Sequence, residues 1–256
     1  MVAPQSEATK IHEHLISYIE SGEKMDSFTL KGTISKADKI SDEPLRLMLI
    51  GLAYGAAQEH EKAVIYFQEG ISYGNDMVAQ NFLSYLSHTG NYEQYRNEAI
   101  KLGRILNSVP ITLLARNAAY SDGDSELSLF FARKALSMIG DEKERKKMEY
   151  EVNYKNEKLN KFQNITKLST NDIKELSRRI TEIAKKHNVI AFHQDYYTSQ
   201  DGDAAVICDV LCTDSEVIAE MDIDVAVEFV TSEILNGKNV TAWYRGNEKQ
   251  EVINTL

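Results

Sequence analysis

The sequence predicts a mostly helical chain that closes with a small α+β domain built on an antiparallel sheet. Three observations point there. Paired amphipathic segments recur from Pro44 to about residue 140, and after Asn188 the apolar residues change from helical spacing to alternation. The charge breaks at the same place: residues 1–188 hold 26 Lys and Arg against 26 Asp and Glu, whereas residues 189–256 hold 3 against 13, so the net −10 lies in the last 68 residues. Two domains follow, a helical repeat domain with a capping helix over residues 1–165 and an acidic α+β domain over 166–256.

The 256 residues, 43% hydrophobic and 27% charged, suit a globular chain with room for two cores. No apolar run reaches the roughly 18 to 20 residues that cross a bilayer. The start MVAPQSEATK lacks the basic cluster and apolar core of a signal peptide, so a cytoplasmic protein is expected. Cys208 and Cys212, four apart in a predicted strand, would sit about 13 Å apart, too far to pair with each other.

Residues 7–21 carry Ile11, Leu15, Tyr18 and Ile19 at helical spacing, with Gly22 placed to end the helix. The spacing leaves 23–43 open and puts Pro44 in the first turn of the next helix. There Leu47, Ile50, Leu52 and Tyr54, with small Gly51 and Ala53 among them, make a stripe that a neighbour can approach closely. A polar break at Gln58-Glu59-His60 precedes a second stripe at Ala63, Phe67 and Ile71. Helices this short need partners to be stable, which predicts an array.

The plan recurs in Phe82–Leu102, with a Gly90-Asn91-Tyr92-Glu93 turn, and in Leu113–Leu136, with an Asp122-Gly123-Asp124 turn. The pattern Gly51, Tyr54, Ala63, Phe67, Gly70 resembles the tetratricopeptide repeat, whose period is about 34 residues. The likeness covers roughly residues 44–140 and weakens after the first unit, where Tyr95 stands in place of a small residue. It implies an open groove lined by the first helix of each pair and filled by a partner polypeptide. On that reading Gln80, Asn81, Ser84 and His88 of the second unit, with Arg116, Asn117 and Tyr120 of the third, face the partner. The basic cradle that some members of the family use for a terminal carboxylate is not matched, since Met48 and Leu52 hold the comparable part of the first unit.

A polar helix near Glu142–Lys161, with Met148, Val152 and Leu159 as its buried stripe, is expected to cap the array. Its basic cluster Lys143, Arg145, Lys146 and Lys147 is cancelled by interleaved glutamates, which argues against nucleic acid. A helix with Ile173, Leu176, Ile180 and Ile183 follows, capped by Thr170 or Asn171. Then come two strands joined by a turn at Ser199–Asp203. The stretch Met221–Phe229 fits strand or helix. The expectation is a third strand to about Ile223, a helix over 225–235 capped by Asp224 and ended by Asn236-Gly237, and a last strand NVTAWYR.

No phosphate loop, nucleophile elbow, Cys–His pair or calcium loop is present, and neither metal nor cofactor is expected. The expectation is therefore a non-enzymatic adaptor or regulatory protein that binds a polypeptide. A second reading is a cytosolic inhibitor, of antitoxin or immunity type, that covers a basic nucleic-acid enzyme with an acidic surface of Asp195, Asp201, Asp203, Asp222 and Asp224. A third is an enzyme whose players are Asp195, Asp201, Asp203 and His193.

Overall fold

Short polar side chains set where the helices begin. In a computed structural model that describes residues 6–232, 235 and 237–247, Ser6 caps α1 (Glu7–Ser21), Asp26 caps α2 (Ser27–Ala37), Asp42 caps α3 (Glu43–Ala56) and Asn75 caps α5 (Asp76–His88). Each accepts a backbone N–H that the first turn leaves unbonded. Between the last two lies α4 (His60–Ile71). Gly22, left-handed at φ 72°, ends α1 as the spacing predicts, and Pro44 stands in the first turn of α3. Residues 23–43, left open by the sequence, supply α2.

Two compact units divide the chain, Met1–Asn91 and Tyr92–Leu256. The division falls inside the second predicted hairpin, whereas the shift in composition places a boundary at 165. In the first unit α3 and α4 pair as expected, because α3 carries glycines where its neighbours press closest. A Cβ on Gly51 would lie 3.1 Å from the Phe67 ring, and one on Gly55 2.6 Å from the Tyr85 ring. Phe67 packs on Phe82 at 5.1 Å, and both are fully buried with Leu49, Leu52 and Leu83.

The second unit opens with α6 (Tyr92–Ile105), α7 (Val109–Ser121) and α8 (Ser125–Met138), followed by the long α9 (Glu142–Thr166) and by α10 (Thr170–Lys186). Ser169, rather than Thr170 or Asn171, caps α10 through a reciprocal capping box with Asp172. Strands β1 (Ile190–Thr198) and β2 (Ala204–Leu211) form the predicted antiparallel hairpin. Then α11 (Ser215–Thr231) crosses over to β3 (Thr241–Gly246), which pairs with β2 in parallel.

Two expectations are corrected here. The sheet is mixed rather than antiparallel, and residues 215–231 are one helix with no third strand before Ile223. Asp214 is its cap, accepting from the N–H groups of Glu216 and Val217, and Asp224 sits mid-helix. A helix of that length is the usual crossover to a parallel strand, so the second correction causes the first. The helix also stops earlier than residue 235, at Thr231, where Ser232 turns extended; of the expected stop Asn236-Gly237, Gly237 is left-handed at φ 72° but lies beyond the helix, and Asn236 lies outside the described residues.

A large core spans the unit, beside a smaller cluster of Ala115, Ala119 and Phe131. Tyr120 of α7, Leu159 and Phe162 of α9, and Leu176 and Ile180 of α10 bury with Tyr196, Val206, Cys208 and Val210 of the sheet. The helix expected to cap an array therefore packs on the sheet. Phe162 lies 4.8 Å from Tyr196, whose hydroxyl donates to the carbonyls of Tyr120 and Ser121.

Candidate functional site

The second unit encloses a cleft of about 530 Å³ walled by α6, α7, α9, α10 and all three strands. That volume suits a small ligand or a few side chains of a larger one. From α7 come Arg116 and Asn117, two of the residues expected to face a partner. Arg116 is only 6% exposed. Its Nε and Nη2 donate to the Asn117 side-chain oxygen at 3.2 and 2.9 Å, and Nη2 also reaches Glu151 of α9 at 3.0 Å. One helical turn beyond Glu151, Lys155 places its ammonium 3.9 Å from the same carboxylate and 5.3 Å over the Tyr120 ring.

The opposite wall belongs to the sheet. A shift in register between Ala191 and His193 marks a bulge in β1, and four successive residues, Ala191 to Gln194, line the cleft. A regular strand would turn only alternate residues to one side. The parallel pairing sets Asp209 beside Arg245, and the guanidinium grips the carboxylate with two bonds of 2.5 and 2.9 Å. At the α6 side, Arg96 donates to Asp122 at 3.0 Å.

Burial and cations dominate the protonation states. His193 is driven down to about 4 by desolvation, aided by nearby Lys155 and opposed by Asp209 and Asp195, so it is neutral at physiological pH. Lys155 is also lowered, by burial first and then by Arg116. Burial raises Asp122 despite Arg96 and Lys174, and pushes the Cys208 thiol up to about 12.

The depressed His193 makes stability depend on pH with a defined sign. Its folded value lies below the ordinary 6.5, so the unfolded chain takes the proton first as pH falls. The contribution is complete above 6.5, declines as pH drops towards about 4, and amounts to at most about 3 kcal/mol. Urea midpoints of the wild type should therefore fall further between pH 7 and 4.5 than those of His193→Gln. Parallel curves would show that the imidazole is not held neutral.

The remaining predicted residues scatter. Tyr120, expected to face a partner, is 1% exposed in the core and donates its hydroxyl to Asp195 at 2.8 Å. In the first unit Asn81 bonds His12 of α1 at 2.8 Å and donates to the Met77 carbonyl, while Ser84 and His88 bond each other and Gln80 is half-buried.

Asp195 is no open acidic surface. Burial would raise its carboxyl, but hydrogen bonds from Lys158 and Tyr120 outweigh that and hold it low. Asp201 and Asp203 lie exposed in the β1–β2 turn, away from His193's cleft. Asp222 accepts the Tyr244 N–H, and Asp224 is taken by Lys186 and His187.

Sequence reasoning missed Arg96, Glu151, Lys155 and Arg245 as residues of a site. The one local signal was the i, i+4 pair Glu151–Lys155 beside tyrosines 150 and 154 on a polar helix. Among the described residues no three His, Cys, Asp or Glu side chains are grouped to hold a metal ion, and no helix is long and apolar enough to cross a membrane. Comparison with protein-family models, with curated proteins and with solved structures returns no match for this chain.

Proposed function

We propose that the protein is a non-enzymatic, cytoplasmic interaction protein, an adaptor or regulator, and that the cleft of its second unit seats part of a polypeptide partner. The observation that carries this reading is the placing of Arg116 and Asn117. Both were expected at a partner-facing surface from the sequence, and both line a cleft of about 530 Å³. Further support comes from its polar walls, because hydrogen-bonding groups in a half-buried site fix the orientation of a bound chain. The first helical pair lacks the basic cradle, whereas α7 brings Arg116 to the cleft.

Panning random linear peptides against the full chain tests this. Enriched sequences should bind with an affinity that Asn117→Ala weakens by about tenfold, the effect of one lost hydrogen bond to a charged network. If no sequence is enriched, or if enriched peptides bind Asn117→Ala and the wild type equally, the reading fails.

A further inference from the structure

The cleft holds more positive charge than its walls neutralise. Four cations line it, Arg96, Arg116, Lys155 and Arg245, against two carboxylates, Glu151 and Asp209. Arg245 and Asp209 satisfy each other through their two-bond grip. Arg116 and Lys155 share the single carboxylate of Glu151, which leaves one charge uncompensated. Arg96 is compensated behind the wall by Asp122 at 3.0 Å, which Lys174, a largely exposed lysine outside the cleft, also approaches at 3.7 Å.

Hydrogen bonding points the same way. The Nη1 group of Arg116 and the hydroxyl of Tyr92, both from residues that line the cleft, are buried and have no partner among the described residues. A buried charge without a partner is costly, and an anion that supplies an acceptor to Arg116 removes that cost. Sites of this sort are unexpected in a chain of net charge −10, whose overall field repels anions.

We propose that the cleft binds a phosphoryl group, carried by the polypeptide partner or by a small phosphorylated molecule; the first of these sources rests on the function proposed above. The chemistry favours phosphoryl over carboxylate. The uncompensated charge lies between a guanidinium on α7 and an ammonium on α9, and a phosphoryl group brings a second negative charge and three oxygens, enough to accept from both at once. Binding raises the proton affinity of Lys155, which burial and Arg116 depress in the free protein.

Calorimetric titration of the full chain with inorganic phosphate, O-phosphoserine, a phosphoserine-containing peptide and acetate, at fixed pH and ionic strength, tests this. Phosphate and O-phosphoserine should bind, acetate should bind at least about tenfold more weakly, and Lys155→Gln should lose about tenfold or more. Arg116→Lys, which keeps the charge but not the fork, should lose affinity while it retains the fold by circular dichroism.

A phosphopeptide that binds more tightly than O-phosphoserine assigns the group to a polypeptide. Equal affinity keeps the phosphoryl site and removes the polypeptide reading. Peptides enriched by panning that bind in the cleft while inorganic phosphate neither binds nor displaces them keep the polypeptide reading and remove this one. Heats no larger than those in chloride, or equal binding by wild type and Lys155→Gln, overturn the proposal.

Discussion

Phe162→Ala is expected to destabilise the second unit by about 3–5 kcal/mol, the range for emptying a fully buried phenylalanine site. The ring is 0% exposed and sits where α9 meets the sheet, 4.8 Å from Tyr196. Little can collapse into the space, because Tyr196 is fixed by hydrogen bonds to two α7 carbonyls. Trp243, the one tryptophan of the chain, lies in β3 and reports on the sheet. Its fluorescence transition in urea should move to lower denaturant although the substitution is on a helix before residue 165. If α9 belonged to a separately folding helical domain, the Trp243 transition would stay where it is in the wild type.

Much of this fold could be read from residue spacing. Ala63 and Phe67 are buried where a stripe four apart puts them, as are Ile173, Leu176 and Ile180 on α10. The β1–β2 hairpin follows from its turn residues, and Val206, Cys208 and Val210 form its buried face. Reading failed at α11 for a physical reason. The helix buries only Met221 and Val225 and leaves Ile223, Val227 and Val230 at 63%, 57% and 88% exposure. Apolar residues that nothing covers completed a false alternation, and period alone could not separate strand from helix.

The cleft was harder to read because no segment announces it. Its charges come from five elements, each with an ordinary local pattern, and they converge only through packing. Lys155 looks like any lysine on a polar helix until α9 lies against β1. From the sequence His193 is only a possible player in an enzyme site. A bulge in β1, which no residue type there signals, lets it share the wall with its neighbours. Arg116 and Asn117 could be found because an apolar helix with an interrupting polar pair is locally anomalous. Tyr120, on the same helix, was misplaced because a tyrosine satisfies a core position and a surface position equally well.

Asp122→Ala should cost the second unit about 3–5 kcal/mol, through charge rather than volume. The Asp122 side chain is 7% exposed at the end of α7, and that of Arg96, its partner at 3.0 Å, is 13% exposed. Removing the carboxylate leaves a buried guanidinium whose nearest opposite charge is gone, and Lys174 nearby adds repulsion. Asp122→Asn, which keeps an acceptor in place, should cost less than alanine. Replacing both partners, Arg96→Met with Asp122→Leu, should recover most of the loss, because two apolar groups of similar size leave nothing unpaired. Urea denaturation followed at Trp243 measures all four proteins. A double variant no more stable than Asp122→Ala would mean that the aspartate acts through its place at the helix end, and the ion pair would not be the cause.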